Sequence, residues 1–90
     1  MNAYRVEILP DAEEKLDSLD KPLAERILGK LEWLAANIEA LRLKPLHGTL
    51  DGFFKLRIGD YRVVYSLDWE ARLITVHLTG SREDIYKRRL

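Results

Sequence analysis

The sequence predicts one α+β domain spanning residues 1–90, with two N-terminal helices packed on a mostly antiparallel four-stranded sheet. Three observations carry this prediction. Apolar residues recur at helical spacing between Ala12 and Ile38, a period-two alternation runs from Phe53 to Leu67, and Gly59-Asp60 interrupts it at its centre.

The first element is a short strand, because Tyr4, Val6 and Ile8 alternate with Arg5 and Glu7 before Pro10-Asp11 ends the run. A short helix follows, with Ala12, Leu16 and Leu19 on one side and Glu13, Glu14 and Asp17 between them. Asp20-Lys21-Pro22 restarts the helix, since Asp20 or Lys21 can cap it and proline is tolerated in the first turn. Leu23, Ile27, Leu31, Leu34 and Ile38 then form the apolar stripe of a second helix that runs to about Asn37. The stretch from Glu39 to Gly52 holds Pro45, Gly48 and Gly52 and reads as a loop, with Leu41, Leu43, Leu46 and Leu50 tucked against the core. After the hairpin comes a turn at Trp69-Glu70-Ala71. A last strand follows in which Ile74, Val76 and Leu78 share one side and Leu73, Thr75, His77 and Thr79 the other. The tail from Arg82 to Leu90 is a short basic helix or an extended end.

Fifteen basic against fifteen acidic residues leave no global field, so any nucleic-acid binding must come from a local patch. The chain has no cysteine, which excludes disulfides, thiolate catalysis and zinc-thiolate sites and is compatible with a reducing cytoplasm. No secretory segment or apolar run long enough to span a membrane appears, so the expected address is cytoplasmic. Neither a cofactor nor a metal is expected.

The hairpin supplies the patch. A two-residue turn that opens on glycine suits the II′ geometry, which sets Ile58 opposite Tyr61, Arg57 opposite Arg62, Leu56 opposite Val63 and Lys55 opposite Val64. One face then carries Phe54, Leu56, Ile58, Tyr61, Val63, Tyr65 and Leu67, and the other gathers Lys55, Arg57 and Arg62. Like charges directly across a ladder are unfavourable unless an anion sits over them, and a phosphate held by arginine rewards that placement. The plainer alternative is an ordinary solvated strand face.

The order of elements, with Pro45-Leu46-His47-Gly48, the run from Lys55 to Tyr65 and a final Gly80-Ser81-Arg82-Glu83-Asp84-Ile85-Tyr86, resembles the RelE/ParE toxin superfamily, and specifically its RelE branch, over nearly the whole chain. The resemblance implies a RelE-like, microbial-RNase-type fold. It also implies a toxin of a type II toxin–antitoxin system that acts as a ribosome-dependent endoribonuclease, cuts mRNA in the ribosomal A site and so inhibits translation. The partners implied are the ribosome with its mRNA and a cognate acidic antitoxin, through which alone the toxin would reach operator DNA; no membrane is involved. Carried over by position, Lys55 and Arg57 match the family's basic strand positions, Arg62 its arginine after the hairpin tyrosine, Arg82 its arginine at the exit of the last strand, and Tyr86 its C-terminal tyrosine. The chain departs from the pattern in two places. Phe53 stands where many RelE-like enzymes carry a further lysine, and the spacing from Arg82 to Tyr86 is shorter than usual.

Cleavage of RNA by the neighbouring 2′-hydroxyl needs a base, positive charge for the phosphorane and an acid for the leaving 5′-oxygen. Arg62 and Arg82 are assigned to the phosphorane, and Lys55 and Arg57 to positioning RNA or to proton transfer. Tyr86 serves as acid or base only if neighbouring cations depress its pKa; otherwise it stacks on a base. His77, on the last strand's expected functional face, and Lys87, Arg88 and Arg89 in the tail are expected to contact RNA; His47 is a weaker candidate. Trp33 and Trp69 read most simply as packing residues. Two readings of another class stay open: a ParE-like toxin that binds DNA gyrase without cleaving anything, and an inactive antitoxin-binding co-repressor.

Overall fold

The computed structural model describes residues 4–45 and 52–81. Strand β1 (Arg5–Ile8) leads through Leu9 into helix α1 (Pro10–Asp17), and Ser18–Asp20 connects it to helix α2 (Lys21–Asn37). Each helix begins on a proline-containing first turn, with Pro10 in α1 and Pro22 in α2, where the missing N–H would be unpaired in any case. Asp20 takes the cap position of α2, without a side-chain cap bond. A 3₁₀ turn (Ile38–Ala40) ends the helical half. The sheet continues with β2 (Lys44–Pro45), β3 (Phe54–Ile58), β4 (Tyr61–Asp68) and β5 (Leu73–Ser81), in the order β1-β5-β4-β3-β2.

The expected four strands are present and all pairs are antiparallel except β1 with β5. These two parallel strands are far apart in sequence, separated by both helices and by β2 to β4, as parallel neighbours without a tight turn must be. A fifth strand of two residues, β2, pairs antiparallel with the start of β3, inside a stretch that the sequence reads wholly as loop. Among the described residues it covers the edge of β3 only as far as Lys55, and no described strand pairs with Leu56 to Ile58 on that side.

The helices cover one sheet face. Ile27, Leu31, Leu34 and Ile38 of the predicted stripe are buried, joined by Ala35, against Val63, Tyr65, Ile74 and Val76. Burying each such aliphatic side chain contributes about 1.5 to 3 kcal/mol, so this layer dominates the stability of the domain. Leu41 and Leu43 pack on the same cluster, as expected of the loop.

One expectation about β5 fails. Val64 faces Leu78 but Tyr65 faces Val76, so a bulge between them leaves His77 as the extra residue. Beyond it the alternation inverts: Leu78 joins Val64 and Phe53 in a small cluster away from the helices, and Thr79 turns into the helix side, where its Oγ1 is buried without a hydrogen-bond partner among the described residues.

Candidate functional site

The β3–β4 hairpin turns at Gly59-Asp60, and Gly59 has φ +59° while Asp60 has a negative φ. Positive φ at the first turn residue alone marks the II′ type, whose twist matches that of the flanking strands. The register follows: Leu56 faces Val63, Arg57 faces Arg62 and Ile58 faces Tyr61. Leu56, Ile58, Tyr61 and Val63 point toward the helices. By strand alternation Lys55, Arg57 and Arg62 therefore share the far face, as the sequence predicts.

The two opposed arginines are not equivalent. Arg57 is exposed, whereas Arg62 is buried to 6% of its surface, which departs from the solvated patch expected of the sequence. Arg62 Nη1 donates to the carbonyl oxygens of Gly59 at 2.9 Å and Tyr61 at 3.1 Å, and its Nε is buried without a hydrogen-bond partner among the described residues. The turn carbonyls draw its charge toward the end of the hairpin and away from Arg57, which relieves the like-charge pair. Opposite Arg62 on β5 stands Gly80, with no side chain to crowd it. The result is one fixed guanidinium beside one exposed cation. Lys55 lies half-buried two residues back along β3.

Farther along the same face Ser66 Oγ lies 2.8 Å from His77 Nε2, and the Phe53 ring meets the His77 ring edge-on with centroids 4.8 Å apart. Desolvation by partial burial lowers the His77 pKa and so favours the neutral ring. The bulge places His77 on the face away from the helices, through a register shift that the sequence did not anticipate.

Sequence reasoning missed a second group of cations. Arg26 and Lys30 on α2, Arg42 after it and, from β3, Lys55 and Arg57 line two adjoining clefts that share Lys30, Trp33 and Arg57, so the β3 cations border these clefts as well as the far face, and no acidic residue among the described residues lines either. Trp33 is 44% exposed with Lys30 Nζ 4.2 Å from its ring centroid, and Trp69 is 52% exposed although its ring meets Tyr4 edge-on at 5.9 Å. The packing role read for both tryptophans is thus only partly met. The i, i+4 spacing of Arg26 and Lys30 could have signalled a shared helix face, but their approach to Arg57 depends on long-range packing.

His47, Arg82, Tyr86, Lys87, Arg88 and Arg89, with Glu83 and Asp84, lie outside the described residues. Among the described residues no group of three histidine, cysteine or carboxylate side chains is placed to hold a metal, and no helix is long and apolar enough to cross a membrane.

Comparison with known proteins agrees with this architecture. Residues 6–86 match the family model of the ParE toxin of the type II toxin–antitoxin system parDE. Toxin RelG of Mycobacterium tuberculosis is 41% identical over 51 residues, which cover 56% of this chain and 59% of that relative. The crystal structure of an archaeal RelE–RelB complex from Pyrococcus horikoshii superposes with a TM-score of 0.72 at 32% identity, covering 89% of this chain and 96% of the matched one. The M. tuberculosis complex RelBE2 superposes with a TM-score of 0.76 at 24% identity over 89% and 99% of the two chains, a likeness of fold. Matched by a family model over nearly its whole length and sharing this fold, the chain belongs to the RelE/ParE superfamily of type II toxin–antitoxin toxins.

Proposed function

We propose that this toxin is a ribosome-dependent endoribonuclease that cleaves mRNA in the A site and thereby inhibits translation in the cytoplasm. The observation that carries the reading is the juxtaposition of Lys55, Arg57 and Arg62 on the sheet face opposite the helices, with the Arg62 guanidinium fixed by the turn carbonyls. A donor held before substrate arrives costs no reorganisation when charge develops on the phosphorane, which is the condition for strong transition-state stabilisation. In this scheme Arg62 and Arg82 stabilise the phosphorane, while Arg57 and Lys55 draw in and orient the RNA backbone. Tyr86 carries a proton or stacks on a base, and Lys87, Arg88, Arg89 and His77 contact RNA. Delegating placement of the message to the ribosome accounts for a small site with no evident acid–base pair among the described residues.

The proposed partner is a cognate antitoxin with acidic residues. Its support is the cationic seam between α2 and β3, where no described residue is acidic, together with the toxin–antitoxin complexes in which related chains occur. One observation favours a second reading: the family model matched is that of ParE, so a toxin that binds DNA gyrase on the same scaffold is the alternative. Mapping 5′ ends of transcripts on programmed ribosomes, beside a gyrase supercoiling assay, separates the two. Cleavage without gyrase inhibition supports the nuclease, and the reverse result supports the gyrase toxin.

A further inference from the structure

The far face of the sheet holds more than cations. On β3 and the residue before it, Phe53, Lys55 and Arg57 follow one another at intervals of two, and a strand advances about 6.7 Å over such a step. An aromatic ring and two cations therefore stand in line, one extended nucleotide apart. The ring does not stand alone, since Phe53 meets His77 edge-on at 4.8 Å and His77 is held by Ser66 at 2.8 Å. Phe53, Ser66 and His77 are all half-buried, so each keeps part of its surface toward solvent. Behind the phenyl ring, Val64 and Leu78 give an apolar floor, and Leu78 reaches it only because the bulge at His77 inverts the alternation of β5.

Distance decides what this cluster can do. Ser66 lies four residues from Arg62 along β4, about 13 Å, and the Arg62 guanidinium points the opposite way, to the hairpin turn. His77 is thus too far from Arg62 to serve the same phosphate, but it is well placed for the next nucleotide. An unpaired base adjacent to a bound phosphate needs a π surface and a few hydrogen-bonding groups at its edge. Phe53 and His77 supply the first, and Ser66 with the second imidazole nitrogen supplies the others.

We propose that Phe53, His77 and Ser66 form a nucleobase-binding platform beside the phosphate-binding cations, where one unpaired base of the RNA stacks. The inference rests on the RNA reading given above and assigns to Phe53 a role that no cation has. It makes the presence of a base next to the bound phosphate a determinant of affinity.

The test uses the full chain and a 2′-O-methyl tetraribonucleotide that cannot be cleaved, with a set of versions each lacking one base. Wild-type protein should bind one abasic version about tenfold or more weakly than the intact strand, the scale of a lost base–aromatic stack. Phe53→Leu keeps the apolar floor packed and should hold its melting temperature, yet bind intact and abasic strands alike. Lys55→Gln should weaken both strands and reduce the salt dependence while keeping their ratio. Equal wild-type binding of every abasic strand and the intact one overturns the platform and leaves the cationic reading standing. Failure of the wild type to bind any of them at low salt also overturns the platform, while the nuclease reading is tested separately by cleavage on programmed ribosomes.

Discussion

In the proposed mechanism Arg62 joins architecture to chemistry in one side chain. Because it is buried and bonded to the carbonyls of Gly59 and Tyr61, Arg62→Ala should destabilise the domain by about 1 to 3 kcal/mol, each kcal/mol lowering Tm by about 4 to 8 °C. It should also remove roughly 2 to 4 kcal/mol of transition-state stabilisation, so cleavage is to be measured well below the melting transition. Arg57→Ala separates the two effects. Its side chain is exposed, so Tm should move by no more than about 0.5 kcal/mol equivalent while RNA affinity and cleavage fall. Tyr65 offers a test by pH. Burial pushes its hydroxyl up to about 12, so the folded state holds a proton that the unfolded chain loses near 10. Stability from this group is complete below pH 10 and is lost as pH rises toward 12, by at most about 3 kcal/mol. In Tyr65→Phe the steepness of alkaline unfolding should diminish; an unchanged profile would assign the effect to other groups.

At the scale of elements, the two turns of the sheet meet opposite demands. Gly59 has φ +59° and a side chain added there would meet nothing within 4 Å, so Gly59→Ala should cost about 1 to 2 kcal/mol through backbone strain alone. Arg72 occupies the left-handed region at φ 54° in the turn after β4, a turn also held by the Ala71 N–H bond to Asp68 Oδ1 at 3.0 Å. Arg72→Gly should therefore raise stability by up to about 1 kcal/mol, read as a higher urea midpoint at unchanged slope. The hairpin was legible in the sequence because its determinants are local: alternation sets the faces, and Gly59-Asp60 sets the register. The helix stripe was legible for the same reason. The bulge at His77 was not, since Ile74 to Thr79 alternates without interruption and only the ladder with β4 shows the extra residue. The β2 strand escaped notice because two residues carry no period, and the burial of Arg62 because a charged residue on a polar strand face has no sequence signal for folding back on a turn.

Across the whole molecule, balanced net charge conceals an uneven surface. Acidic residues crowd the first half of the chain, yet the fold brings Arg26, Lys30, Arg42 and Arg57 around clefts that hold none among the described residues. If an acidic antitoxin is steered by this seam, Arg26→Gln with Lys30→Gln should slow its association about tenfold at low salt and flatten the salt dependence, with little change in dissociation. An association rate unmoved by these substitutions would place the antitoxin's acidic contacts elsewhere. The same molecule-wide charge pattern underlies the nuclease reading, in which the far face takes the message while the ribosome presents it. The most direct measurement of that reading is single-turnover cleavage of an mRNA positioned on programmed ribosomes, with 5′ ends mapped for wild type and for an Arg57→Ala, Arg82→Ala double variant. The account predicts cuts within the A-site codon that require the ribosome and fall by about two orders of magnitude or more in the double variant at unchanged fold. Full activity in that variant, or absence of wild-type cleavage alongside inhibited gyrase supercoiling, would contradict it.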